Sequence, residues 1–364
     1  MKYWLLAPVL VGTAACMPEP DSSPLQPIVD SLAANEEIPA AAVIIARCGE
    51  REVAFAGVTR LGGELPVTAQ SRFSLGSNSK AVLATAAAIM VEEDLINWSA
   101  TIGGSHEFAA VDAEHPHGDV TLAELFSHTG GIATYHTGAA LNTVTIDGPP
   151  SEQPRRFAVQ ALGEPAVGAR GAYAYSNAGP VIAAVMMEAA AGQSWQEIVE
   201  SRIIAPWSLD MRLAQPLPAD DAQLYGHYFG EAGVQPYEEA EAEIAPFLQP
   251  SGYLAVTPAS YARFLEHHVC GLSGEAAPGL SAEGFAALHT TLYGTPSALG
   301  WARQEIQGEL FSFHIGSTGA HYAFAMVNAD RAIAVLVNSG TQAAGQAAQT
   351  TLLELAAETA APSE

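Results

Sequence analysis

Strand-forming sequence lies at both ends of this chain and helix-forming sequence fills its middle, and that arrangement narrows the possible folds more than any other feature. Near the N-terminal end, "AAAVIIARCGEREVAFAGV" (40–58) gives two apolar, β-branched runs around Gly49-Glu50, the pattern of a hairpin. Near the other end, "ELFSFHIGS" (309–317) sets Phe311, Phe313 and Ile315 against Ser312 and His314 on alternate faces. "YAFAMVNADRAIAVLVN" (322–338) adds a second hairpin turning at about Asn328 to Arg331. A helix from Pro24 to Asn35, capped by Ser22 or Ser23, and a closing helix in "TQAAGQAAQTTLLELAAE" (341–358) flank these strands. Between them, residues 106–245 hold turns, proline and short helical patterns. "VTLAELFSH" carries a capping box at Thr121 and Glu124, and "AGPVIAAVMMEAAAG" ends at Gly192. The expected fold is therefore α+β, an α/β sandwich: one antiparallel sheet flanked by helices, with a mostly helical inserted domain. The discontinuous α/β domain would span 24–105 and 246–364, the inserted domain 106–245, with a cleft between them.

Composition excludes some functions. Apolar residues make up 49% of the 364 and charged residues only 15%, which is a core-rich chain and not a disordered one. A formal charge of −25 leaves no basic face for nucleic acid. The acidity fits a solvated surface, as does the run "YEEAEAE" (237–243). The first fifteen residues have one basic residue, an apolar run from Trp4 to Val11 and small residues before Cys16, the layout of a secretory signal. Small residues directly before a cysteine resemble a lipoprotein cleavage box, with Cys16 as the lipidated residue; an ordinary signal peptide is the alternative. Residues 16–23 form a polar tether. The expected location is outside the cytoplasm, periplasmic or anchored to the outer membrane, with the membrane met only through that lipid. Cys48 and Cys270 form either a disulfide or two free thiols.

Chemistry concentrates around "FSLGSNSKAVLATAAAIM" (73–90). Lys80 and Lys2 are the only lysines, beside twelve arginines. Ser77 and Lys80 stand three apart, which places them on one helical face. Residues 81–91 are apolar nearly all round, so the helix is buried and its leading lysine is desolvated, lowered in pKa and usable as a base. Ser77 falls at the helix N-terminus, where developing negative charge is favoured. Serine, base and field together are what nucleophilic catalysis needs.

Two further segments keep the same order: Tyr175-Ser176-Asn177 before an apolar helix, and His314-Ile315-Gly316 at the end of a strand. With "LAELFSHTGGI", "PSGYLAVTPASYARF", "ALGW" and "VLVNSG" they resemble the serine β-lactamase and penicillin-binding protein superfamily. The resemblance runs from about residue 24 to the end and is nearest to the branch of class C β-lactamases, D-aminopeptidases, D-alanyl-D-alanine carboxypeptidases and related esterases. It implies a β-lactamase/transpeptidase-like fold with Ser77 as nucleophile, Lys80 sharing its proton and Tyr175 as partner acid/base. Lys80 and Tyr175 would titrate as a pair. It implies Asn177 bonding to Lys80 and to the substrate, His314 and Gly316 supporting the substrate, and an oxyanion hole from the N–H groups of Ser77 and Ser317. No metal or organic cofactor is implied; the partner is a small-molecule or peptide substrate.

Class C β-lactamases usually carry Lys-Thr-Gly where this chain has His314-Ile315-Gly316. Histidine is mostly neutral at pH 7 and Ile315 has no hydroxyl, so the expected activity is on esters or D-amino-acid peptides and amides, with weak β-lactam turnover. A class C-like β-lactamase and a non-catalytic peptidoglycan-binding or sensor protein are the alternatives. "HPHGDV" (115–120) also resembles a metallo-hydrolase signature with Val120 in the place of its last histidine.

Overall fold

The computed structural model describes residues 23–108, 111, 114–136, 141, 144–213, 223–237, 245–252 and 254–359. The expected signal peptide, Cys16, all of the tether before Ser23 and the acidic run beyond Tyr237 lie outside the described residues.

Eleven strands are described: β1 (Ala40–Arg47), β2 (Glu50–Gly57), β3 (Phe73–Ser74), β4 (Met211–Arg212), β5 (His227–Gly230), β6 (Gly233–Pro236), β7 (Ala255–Val256), β8 (Ala302–Ile306), β9 (Glu309–Ser317), β10 (Tyr322–Val327) and β11 (Ala332–Val337). Six form the main sheet in the order β2-β1-β11-β10-β9-β8, antiparallel throughout. The join between the two ends of the chain is the β1–β11 ladder, with Ile44 opposite Ala334.

Both faces of this sheet are covered, which explains why β1 and β11 read as unbroken apolar runs instead of alternating ones. Ala41, Val43, Ile45, Phe324 and Val335 pack with Val29 and Leu32 of the Gln26–Ala33 helix and with Ala348, Leu352 and Leu355 of the Gln342–Glu358 helix. Ala40, Ala42, Ile44, Ala325 and Ala334 face the other way, into the larger core around the Ser79–Glu92 helix. Alanine dominates that second face, and its small side chains let the Pro258–Leu272 helix lie close on β1 and β2. A disulfide joins Cys48, in the β1–β2 turn, to Cys270 near the end of that helix, with Cα atoms 4.9 Å apart.

The capping box at Thr121 and Glu124 opens the Leu122–Phe126 helix, and the Ala178–Ala191 helix ends at Gly192, both as expected. Two local expectations are corrected. Ser23 does not cap the first helix; its Oγ accepts from Leu25 N, and Leu25 precedes the first helical residue. Ser77 lies in a separate 3₁₀ turn, Gly76–Asn78, and the α-helix begins at Ser79. β9 alternates as expected, and both of its faces carry buried residues: Phe311 is 0% exposed on one, Ser312 and His314 are 1% and 8% exposed on the other, and Ile315, on the Phe311 face, is 43% exposed. Among the described residues, no helix is long and apolar enough to cross a membrane.

Candidate active site

The site forms where the Gly76–Asn78 turn meets the end of β9. Gly316 lies so close to the turn that a Cβ on it would overlap the Leu75 carbonyl and stand 3.1 Å from Ser77 N. Reciprocally, Gly76 sits at φ +48°, and a Cβ there would be 2.8 Å from Ser317 N. Two glycines thus bring the backbone of Ser77 and Ser317 together. In the β9–β10 ladder Thr318 N donates to His321 O, so Ser317, one residue earlier, belongs to a non-hydrogen-bonded pair with Tyr322. Its N–H accordingly points off the ladder and away from β10. Ser77 and Ser317 therefore meet the geometric demand of an oxyanion pocket, two backbone donors on one side of a serine.

Around the Ser77 side chain, two donors converge. Lys80 Nζ lies 2.9 Å and Tyr175 OH 2.8 Å from Ser77 Oγ. Lys80 is 1% exposed and also donates to the Ser251 carbonyl at 2.7 Å. No carboxylate is among its hydrogen-bond partners at the described residues, and burial lowers its pKa to about 7. Burial pushes the Tyr175 phenol up to about 12, against the lowering pull of its bond to Ser77. Near neutral pH the site therefore holds an amine poised to lose its proton beside a phenol that keeps one.

Tyr175 is aimed by its neighbour. Ser176 Oγ donates to Ala133 O and accepts from the N–H groups of Ala178 and Gly179, capping the Ala178–Ala191 helix. Ser176 N donates to His128 Nδ1, and the His128 ring lies 4.6 Å from that of Tyr175. His128 is fully buried, and its pKa falls well below the ordinary imidazole value through burial and then through Lys80 and His314. His314 is pushed down to about 3, first by burial and then by Lys80. Its Nδ1 lies 3.2 Å from the Ile315 carbonyl, which can only accept, so Nδ1 carries the proton of the neutral ring.

The structure brings Ser77, Lys80, Tyr175, His314, Gly316 and Ser317 together. Asn177 departs from expectation: its Nδ2 donates to Tyr135 O at 2.9 Å, and no bond to Lys80 occurs among the described residues. Lys80 donates instead to Ser77 Oγ and to Ser251 O. Sequence reasoning gave no role to His128, Ser251 or Trp301, although each lies in a block quoted for the resemblance. The "HPHGDV" segment carries a resemblance to a metal signature and no expected metal. His117 turns Nε2 onto Glu164 O at 3.1 Å, Asp119 is exposed, and no ligand cluster at the described residues includes these side chains.

Comparison with solved structures places this fold among known hydrolase scaffolds. A class C β-lactamase aligns with a TM-score of 0.74 at 14% identity, covering 93% of this chain and 96% of that one. The D-amino acid amidase of Ochrobactrum anthropi SV3 aligns at 0.71 and 15%, over 92% and 97%. An octameric penicillin-binding protein homologue from Pyrococcus abyssi aligns at 0.74 and 20%, over 91% and 76%. By fold, then, this is a β-lactamase/transpeptidase-like protein. In sequence, residues 25–358 match the family Beta-lactamase, and the chain belongs to that family. It is 25% identical over 337 residues to penicillin-binding protein 4 of Amycolatopsis lactamdurans, covering 85% of this chain and 83% of that protein.

Proposed function

We propose that the protein is a serine hydrolase that forms an acyl-enzyme at Ser77 and acts on small esters or on amides and peptides containing D-amino acids. The observation that carries this reading is the position of Ser77 Oγ, within 2.9 Å of a buried lysine and 2.8 Å of a buried tyrosine.

In acylation, Lys80 in its neutral form takes the Ser77 proton as Oγ attacks the acyl carbon. The oxygen that becomes negative is held by the N–H groups of Ser77 and Ser317. The bond to the leaving group then breaks, and Tyr175 gives that group its proton while Lys80 restores the tyrosine. Water reverses the sequence in deacylation: it loses its proton to the same pair, attacks the ester carbon, and Ser77 leaves as the alcohol. Asn177 supplies a donor to the acyl side of the substrate, and His314 and Gly316 shape the opposite wall.

Substrate choice is argued from His314 and Ile315. A neutral imidazole and a sec-butyl side chain offer no charge to a substrate carboxylate, which weakens the β-lactamase alternative. Two proteins of similar fold, a D-amino acid amidase and a D-stereospecific amidohydrolase from Streptomyces, lie on the same side. Export belongs to the proposal as well. Its support is the leader-like N-terminus and the Cys48–Cys270 disulfide, which persists in oxidising compartments. Lipidation at Cys16 is part of the same reading, and the mass of the mature N-terminus tests both.

The first test is turnover of p-nitrophenyl butyrate and nitrocefin side by side, with Ser77→Ala as control. The expected result is ester turnover that the substitution abolishes, with nitrocefin turned over far more slowly. Faster nitrocefin turnover would make the protein a β-lactamase. Silence on both, with no covalent adduct at Ser77 after a fluorophosphonate probe, would leave the sensor reading standing.

A further inference from the structure

A cavity of about 170 Å³ opens beside Tyr175, walled by His128, Tyr173, Trp301, Phe313 and Ile315. We propose that it is the leaving-group pocket of the site and that it selects an uncharged, apolar group about the size of one six-membered ring. The inference rests on the Ser77 acyl-enzyme reading and adds the chemistry of the group expelled.

Its place relative to the scissile bond follows from β9. The acyl oxygen goes to the Ser77 and Ser317 N–H groups. Two residues back along the strand, about 7 Å from Ser317, Ile315 stands at the cavity. That is the span from a carbonyl carbon to the far side of a ring joined to it through oxygen or nitrogen. Tyr175 lines the same cavity and bonds to Ser77 Oγ, so a group entering it passes the phenol that protonates it.

Its size and chemistry set the selectivity. An apolar protein cavity of about 150 Å³ is known to hold benzene, so about 170 Å³ accommodates a ring with little to spare. Among its lining residues there is no lysine, arginine, aspartate or glutamate. The two histidines in the wall are buried and neutral. A carboxylate entering this space loses water and finds no cationic side chain in the wall to replace it, which is unfavourable. At the mouth, Tyr173 and Ile315 are 48% and 43% exposed, an apolar rim on a protein of formal charge −25.

Two measurements test the pocket, one of them independent of chemistry. Ligand-observed NMR titration of the wild-type protein compares benzyl alcohol with benzoate. Kinetics compare phenyl butyrate with 4-carboxyphenyl butyrate, each kcat/KM divided by the ester's hydroxide-catalysed rate. The neutral member of each pair should be preferred by roughly tenfold or more. Ile315→Lys, at an exposed position that folding tolerates, should erase or reverse both preferences. Equal affinity for the two ring ligands, or ratios unchanged in Ile315→Lys, would overturn the proposal. Binding preference intact with no ester turnover would count against the Ser77 reading and support the pocket. Turnover that depends on Ser77 without the preference would do the reverse.

Discussion

Lys80 is 1% exposed and fixed by hydrogen bonds at 2.9 and 2.7 Å, whereas Ile315 and Tyr173, a short distance along the same cleft, are 43% and 48% exposed. The reacting groups owe their properties to the loss of water: the same burial that lowers the amine to about 7 raises the phenol to about 12. The rim residues are only half buried, and Tyr173 meets the core through the edge of the His128 ring. Chemistry is thus tied to the core, and altering it disturbs a helix; selectivity is tied to the surface, and altering it is structurally cheap. The predictions below test that division, beginning with the side where substitution should cost most.

Replacing Lys80 by arginine keeps the charge but not the ability to shed a proton. Acylation measured by the p-nitrophenol burst should fall by about 10³-fold or more. A variant retaining most of the burst would break the division at its centre. Wild-type kcat/KM should also rise with pH through about 7, because the amine acts only after deprotonation, and then level off while Tyr175 stays protonated. A flat profile from pH 5 to 9 would remove Lys80 from the role of base. Because the buried amine is carried at a cost, Lys80→Met should abolish acylation yet raise stability by about 1 kcal/mol at pH 7, roughly 2 °C in Tm.

Tyr175→Phe comes next. It keeps the ring against His128 and removes only the OH that reaches Ser77 Oγ. The loss should be about 10²-fold for an amide substrate and clearly less for a p-nitrophenyl ester, since p-nitrophenolate departs without a proton. Equal losses on the two substrates would show that the phenol orients Ser77 and does not serve the leaving group.

Much of the buried side was legible in the sequence, and little of the exposed side was. A lysine heading an apolar helix three residues after a serine announces its own desolvation, and the capping box at Thr121 and Glu124 and the break at Gly192 are local signals. What escaped was non-local or carried by backbone. The Lys80 partner Ser251 acts through a carbonyl, to which side-chain identity is irrelevant. His128 matters through a ring contact with a residue 47 positions away. In β9, alternation was legible but not which positions near the turn face inward, because the sheet is covered on both faces. The pocket joins residues from three distant segments, 128, 173–175 and 297–315, and no spacing rule links them.

The smallest expected effect on activity comes from the disulfide, and it probes the comparison from outside the site. Cys48–Cys270 closes a separation of 222 residues and pins the Pro258–Leu272 helix to the β1–β2 turn. None of the groups around Ser77 Oγ belongs to that helix or to that hairpin. Cys48→Ser with Cys270→Ser should therefore lower stability by about 2–5 kcal/mol, read as a fall in Tm, while leaving kcat for p-nitrophenyl butyrate within about twofold at 25 °C. The helix also packs on the alanine face of β1 and on β2, so packing retains it when the covalent tie is cut. A large fall in kcat without a matching loss of fold would mean that the sheet transmits the tie to the turn at Ser77, and that the reacting groups are held from farther away than their hydrogen bonds imply.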